Sequence, residues 1–260
     1  MKYEICLADP AGNKTAFVRN KVAKQDYASL ANKIMAQLDY GIEQVGYLVA
    51  PINGGIGRLE MMGNEFCGNA SRSFGLLLVK ENSALPATVE IEVSGLTSNL
   101  EVETDLAASS AQVAMPLLEE LTEITVNGKS YPVVVLEGIS HVIIKDEEAS
   151  EQIIQQLMAA MQEKFSFEAL GLMFVNDNKM YPVVYVVETA SLIHESSCGS
   201  GTIAYAYYLT SQKNDGDYSY QIEQPGGTIA AKVKQLDEKI VAGYIGGKIT
   251  LSDFFEVEIV

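Results

Sequence analysis

Two short stretches constrain this chain more than anything else in it: Glu65-Phe66-Cys67-Gly68-Asn69-Ala70 and Ser196-Ser197-Cys198-Gly199-Ser200-Gly201. They look like copies of each other and stand about half a chain length apart. Each places a cysteine and a glycine just before a run that reads as a helix. After Cys67 the apolar positions are Ala70, Phe74, Leu77 and Leu78. After Cys198 comes Ile203-Ala204-Tyr205-Ala206-Tyr207-Tyr208-Leu209, apolar on every face, as a helix inside a core would be. Both sulfurs are therefore expected at helix N-termini.

That position has chemical consequences. A helix N-terminus offers unpaired backbone N–H groups and the positive end of the macrodipole, so it can hold a carboxylate. It also lowers a thiol pKa from about 8.5 into the range ~3.5–7.5 at favourable sites. Two such helices facing each other would grip one carboxylate between two thiols. One thiolate could remove the proton from the carbon beside the carboxylate, and the other thiol could return a proton to the opposite face. That is the arrangement of a cofactor-free, two-base racemase or epimerase.

Composition narrows the setting. At 260 residues, with 48% hydrophobic and 20% charged residues, the chain can bury one large core or two medium ones. A formal net charge of -16 argues against nucleic acid and anionic membrane surfaces as partners. The first residues read as neither signal nor transit peptide, and no apolar run approaches the roughly 18 residues of a membrane span. The expected location is cytoplasmic, and the expected partner is a small amino acid; a homodimer is left open. The three cysteines are too few and odd in number for a disulfide framework. His141 and His194 do not have structural zinc spacing, so no metal is expected. Cys6, in an apolar strand-like run, reads as a buried small hydrophobe.

Along the chain, residues 3–8 and 15–19 alternate as strands across the turn chemistry of Asp9 to Asn13. Tyr27, Leu30, Ala31, Ile34, Met35 and Leu38 then mark an amphipathic helix. Strands follow at 44–50 and 58–62, then Cys67 and its helix to about Val79. Further strands are expected at 88–94, 99–104, 111–115, 124–136 (a hairpin on Asn127-Gly128) and 141–145. A second amphipathic helix carries Ile153, Ile154, Leu157, Met158, Met161 and Phe165. Strands at 172–175 and 181–187 precede Cys198 and its helix, and strands at 218–224, 228–234, 239–245 and 254–259 close the chain. The order is strands, amphipathic helix, strands, Cys-Gly helix, strands, and then the same again. A repeat this long is no solenoid. It suggests two similar α+β domains: 1–115, completed by the last strand 252–260, and 116–251, meeting at a cleft of the kind ligands prefer.

These residues resemble the diaminopimelate epimerase family. Cys67-Gly68-Asn69-Ala70 and Cys198-Gly199-Ser200-Gly201 look like its paired active-site motifs, and the likeness covers nearly the whole chain. Asn13 falls at the family's N-terminal Gly-Asn motif. Gln44-Val45 resembles its Asp-Gln-Val strand, with Glu43 in place of the aspartate. Gly138-Ile139-Ser140-His141 and Pro225-Gly226-Gly227 resemble two further motifs. The resemblance implies an α+β fold of two pseudo-symmetric domains. Each would be a β-barrel-like sheet around a central helix, with the active site in the interdomain cleft. It also implies that Cys67 and Cys198 act as acid and base without cofactor. The departures matter too. Ile139 and Ala169 stand where asparagines would hold a distal amino acid end, and Glu188-Thr189 resembles a Glu-Arg pair that has lost its arginine. A charged distal carboxylate would lack partners, which argues against diaminopimelate. Within the family, the strings Met62 to Ala70, Glu43 to Gly46, Ser197 to Thr202 and Gln224 to Gly227 resemble the histidine racemase branch of staphylopine-type metallophore biosynthesis. That implies L- and D-histidine as substrates.

The same resemblance lets Asn13 and Gln44 line the substrate pocket. Glu188 would meet the α-amino group or support Cys198. Glu43 is an attractive partner for an imidazole N–H. The backbone N–H groups of Gly68, Asn69, Gly199, Ser200 and Gly201 would bind the α-carboxylate and stabilise the enolate-like transition state. His141 would stand behind Cys67 and raise its thiolate fraction, with a satisfied core histidine as the competing reading; His194 reads as surface. Two rivals stay open: another racemase or epimerase of the family, acting on diaminopimelate or hydroxyproline, and a protein that binds an amino acid without turning it over.

Overall fold

The computed structural model describes residues 1–167, 169–187 and 191–260. The elements run β1 (Lys2–Asp9), β2 (Lys14–Val18), α1 (Tyr27–Gln37), β3 (Ile42–Val49), β4 (Arg58–Met61), α2 (Gly68–Glu81), β5 (Thr88–Val93), β6 (Leu100–Asp105) and β7 (Ser110–Ala114). They continue with β8 (Glu120–Val126), β9 (Lys129–Leu136), β10 (Ile139–Lys145), α3 (Glu151–Lys164), β11 (Ala169–Asn176), β12 (Lys179–Val186), β13 (Ser191–His194), α4 (Gly199–Thr210), β14 (Gly216–Gln224), β15 (Gly227–Leu236), β16 (Lys239–Lys248), β17 (Thr250–Leu251) and β18 (Phe255–Glu258). The chain is thus a sheet-rich mixture of strands and helices.

It divides into two compact units, one formed by Met1–Val113 with Gly246–Val260 and the other by Ala114–Ile245. The return to the first unit comes earlier than residue 252 because Thr250 and Leu251 already pair with Asp9 and Ala8. β18 then pairs antiparallel with β1.

Within the first unit β1 and β2 are antiparallel, β2 and β3 parallel with α1 between them, and β3 and β4 antiparallel. β4 and β5 are parallel with α2 between them, and β5 and β6 antiparallel. The second unit repeats the series: β9 and β10 antiparallel, β10 and β11 parallel around α3, β11 and β12 antiparallel. β12 and β14 then pair parallel around α4, and β14 and β15 antiparallel. The repeat legible in the sequence is therefore a repeat of strand order and direction.

The helices differ by position. α1 buries Tyr27, Leu30, Ala31 and Ile34 against Ile5, Val18, Val45 and Tyr47, and its opposite face is polar. α3 does the same with Ile154, Leu157, Met158 and Met161, capped by the Ser150 hydroxyl, which accepts the Ile153 N–H. α2 and α4 are buried almost all round. Such helices draw their stability from packing rather than from an amphipathic stripe. α2 seats on β5 and β6, where Gly75 leaves room for Val102; α4 seats on β15 and β9, and Gly243 on β16 leaves room for the Tyr207 ring. Each unit thus holds one enclosed helix whose first turn follows a cysteine.

Candidate active site

Cys67 and Cys198 occupy the same structural place in their units. Each is the N-cap of its enclosed helix, with extended backbone at φ -131, ψ 109 and φ -119, ψ 116. The Cys67 sulfur accepts the Ala70 N–H at 3.4 Å and the Cys198 sulfur accepts the Gly201 N–H at 3.4 Å. A thiolate makes a better acceptor than a thiol for such a bond, and the helix dipole adds to it. The likeness extends one turn further. The Ser71 hydroxyl donates to the Cys67 carbonyl at 2.7 Å and the Thr202 hydroxyl to the Cys198 carbonyl at 2.6 Å. Sequence reading passed over Ser71 and Thr202; the shared signal is a hydroxyl four residues after each cysteine.

The loops that lead into the cysteines are tied down differently. In the first unit Ser94 Oγ donates to the Glu65 carbonyl at 2.8 Å and accepts the Met61 N–H at 2.9 Å. Gly95, at φ 77, packs against the backbone of Glu65 and Phe66 so closely that any Cβ would collide with it. In the second unit Gly226 donates its N–H to the Ser196 carbonyl at 2.8 Å, which gives the Pro225-Gly226-Gly227 turn its role. Gln224 completes the support: its Oε1 accepts the Cys198 N–H at 2.8 Å and its Nε2 donates to Thr202 Oγ1 at 2.9 Å.

The surroundings of the two sulfurs are unequal. Cys67 is half-buried, whereas Cys198 is 5% exposed. Burial, and then the negative charge of Glu195, push the Cys198 thiol well above its ordinary range; hydrogen bonds from Ser200 and Gly201 offset this in part. Ser200 Oγ lies 3.5 Å from the sulfur.

Of the other expected site residues, Asn13, Glu43, Gln44 and Asn69 come together in the first unit. Asn13 Nδ2 donates to Glu43 Oε2 at 2.8 Å, and Asn13 Oδ1 accepts from Asn69 Nδ2 at 3.3 Å and from Gln44 Nε2. Gly68 and Asn69 form the first turn of α2, as Gly199, Ser200 and Gly201 form that of α4. Glu188 and Thr189 lie outside the described residues. Ile139 and Ala169 are paired neighbours on β10 and β11. His194 is exposed, within 3.1 Å of the Tyr181 hydroxyl, and Cys6 is fully buried.

His141 is fully buried in the second unit over Gly171, its parallel partner, which has no Cβ to exclude the ring. Among the described residues neither ring nitrogen has a hydrogen-bond partner. Burial lowers its pKa to about 3, which keeps the ring neutral near pH 7. A neutral ring carries no charge that could raise a thiolate fraction. Arg72, which sequence reading missed, is fully buried on α2 and bonds Asn69 Oδ1 through Nε at 3.2 Å. Among the described residues no group of three or more His, Cys, Asp and Glu side chains could hold a metal ion, and no helix is long and apolar enough to cross a membrane.

Residues 4–253 match the family model described as the histidine racemase CntK N-terminal domain. The chain belongs to the histidine racemase family. It is 34% identical over 251 residues to a histidine racemase of Fusobacterium nucleatum, covering 90% of both chains. It is 28% identical over 258 residues to one of Staphylococcus aureus, covering 95% of this chain and 94% of that one. The chain is thus an isomerase of the amino acid racemase class. The likeness to diaminopimelate epimerases is the looser one of a shared fold class. Its fold resembles that of a hydroxyproline epimerase from Agrobacterium vitis solved with trans-4-hydroxy-L-proline, with TM-score 0.69, 11% identity, and coverage of 98% of this chain and 91% of that one.

Proposed function

We propose that this chain interconverts L- and D-histidine without a cofactor, with Cys67 and Cys198 as the two bases. The observation that carries the reading is the matched capping of the two sulfurs: each accepts the N–H three residues on, at the start of an enclosed helix. A structural cysteine has no need of that geometry twice. One thiolate takes the α-proton; the C–H bond breaks, an S–H bond forms, and the electron pair delocalises into the carboxylate. The second thiol gives its proton to the opposite face of the carbon and is left as thiolate. The reverse reaction starts from that state, so the sulfurs exchange roles between enantiomers.

In this reading the first-turn backbone N–H groups of α2 and α4 hold the carboxylate and the charge that grows on it in the transition state. The high pKa of Cys198 suits it to be the resting acid, with Cys67 as the resting base. Asn13, Gln44 and Glu43 line the substrate side, and the Glu43 carboxylate is the acceptor for an imidazole N–H. D-Histidine of this origin serves staphylopine-type metallophore biosynthesis, and the enzyme works in the cytoplasm.

The test is incubation of reduced protein with L-histidine in D2O, following the α-proton by NMR and the optical rotation together. Both signals should decay without added cofactor. Turnover of a different amino acid in a small panel would keep the chemistry and replace the substrate; silence across the panel would leave an amino acid binding protein. Cys67→Ser and Cys198→Ser should each slow racemisation by at least about 1000-fold, equivalent to about 4 kcal/mol of barrier. Full activity in either variant refutes the two-base mechanism.

A further inference from the structure

Arg72 heads the fully buried side chains in volume, and among the described residues it forms no ion pair. Burying a guanidinium without a counter-ion is costly, and such groups persist where something else requires them. Nε donates to Asn69 Oδ1 at 3.2 Å. Nη1 donates to the Gly247 carbonyl at 3.0 Å and the Lys248 carbonyl at 3.5 Å, while among the described residues Nη2 has no partner. A Cys67 thiolate attracts the guanidinium and partly offsets the burial that lowers the Arg72 pKa to about 10.

The bonds beyond Arg72 run in one direction. A guanidinium only donates, so it fixes Asn69 with Oδ1 toward Arg72 and Nδ2 toward Asn13. Asn13 must then present Oδ1 to Asn69, where Gln44 Nε2 also donates. That leaves Asn13 Nδ2 for Glu43, whose carboxylate only accepts. An amide that flipped anywhere in this series would set donor against donor or oxygen against oxygen. The series is pinned at one end by a pure donor and at the other by a pure acceptor.

We propose that Arg72 is a positioning residue for the substrate side of the first unit: it locks the Asn69 and Asn13 amides in one orientation and so aims Gln44 and Glu43. This rests on the racemase reading for its consequence in catalysis, while the orientation itself is a property of the protein alone. Misplacing groups that orient a substrate commonly costs up to about 100-fold in rate.

The first readout needs no turnover. In protein labelled with 15N-asparagine, the side-chain amide signals of Asn13 and Asn69 are assigned from Asn13→Ala and Asn69→Ala. In wild type both amides should exchange slowly with solvent. In Arg72→Met both should shift and exchange faster together; an Asn13 signal that does not move overturns the proposal. The second readout is a double-mutant cycle. Arg72→Met should lower kcat/KM about 10- to 100-fold, and adding Asn13→Ala should cost less than about threefold more. Losses that multiply across the two sites, with the fold intact by thermal melting, mean that Arg72 only supports the fold, and overturn it. Should Arg72→Met not fold, Arg72→Lys enters both readouts; it keeps the charge but cannot reach Asn69 and Gly247 with one rigid fork, and an activity equal to wild type overturns the proposal. If wild type turns over no amino acid, the racemase reading fails, and the amide signals still decide the role of Arg72.

Discussion

Equivalent places in two units do not give the two sulfurs equivalent chemistry. Cys198 is enclosed, with Glu195 close enough to oppose its ionisation, whereas Cys67 is half-buried and has the Arg72 guanidinium within electrostatic reach. The thiolate, not the thiol, attacks an alkylating agent. Iodoacetamide at pH 7 should therefore modify Cys67 well before Cys198, read as peptide masses against time. The Cys198 rate should keep rising with pH beyond the ordinary thiol range near 8.5, where a normal thiol levels off. Equal rates at pH 7 would show that the enclosure of Cys198 does not hold in solution. At this scale the sequence names the cysteines plainly, because the Cys-Gly context occurs twice. It does not name Arg72 as a site residue, since a charge in the string Ser71-Arg72-Ser73 reads as solvated; only the packing on every side of α2 shows it to be buried.

The elements were legible where periodicity carries burial. α1 and α3 each present one apolar stripe, and Ile34 and Leu157 fall on it as spacing predicts. β13 was not legible. Ser191 to His194 leave Leu192 and His194 exposed, so the strand has no apolar face to betray it and exists through pairing with β12. β17, two residues long, is likewise held by its pairing with β1. α4 offers a sharper case. In the sequence Gly201 reads as a backbone N–H donor to the carboxylate and carries no packing signal, yet a Cβ there would overlap Met173 Sδ on β11 and press on Cys198 Cβ. The missing side chain lets the first turn of α4 sit directly on the strand, with the Cys198 sulfur bonded to the Gly201 N–H. Gly201→Ala should displace that turn. Racemisation should fall at least about 100-fold, because aligned reacting groups tolerate little displacement, and overpacking should destabilise by about 1–3 kcal/mol. Thermal melting with an activity assay on the same sample checks both. Wild-type activity in Gly201→Ala would mean that Met173 swings aside at no cost.

At the scale of the molecule, the two units carry separate acid-sensitive anchors. In the first, burial alone would raise the Glu92 pKa, but the N–H groups of Ile52, Asn53 and Gly55 and the Arg58 guanidinium more than reverse this and bring it to about 2. A carboxyl depressed in the fold adds stability above its ordinary value near 4.5, and that stability is lost as pH falls from there toward 2. In the second unit the neutral His141 ring has a folded pKa of about 3 against an ordinary 6.5. Between those values the unfolded chain binds the extra proton, so this contribution is complete above pH 6.5 and erodes as pH falls toward 3. Its steepest slope is about 1.4 kcal/mol per pH unit for one proton. The windows overlap between pH 4.5 and 3, but from pH 6.5 to 5 His141 acts while the Glu92 anchor is intact. The midpoint of urea unfolding should therefore fall between pH 7 and pH 5 in wild type. In His141→Leu, which removes the titrating ring and fills the site over Gly171 with apolar atoms, that midpoint should stay nearly flat over the same range. Glu92→Gln should leave the wild-type slope between pH 7 and 5 in place and weaken the further loss below pH 4.5, since it removes the lower-pH anchor alone. A wild-type slope retained in His141→Leu would place the proton uptake on some other group and make the buried imidazole a bystander in acid unfolding.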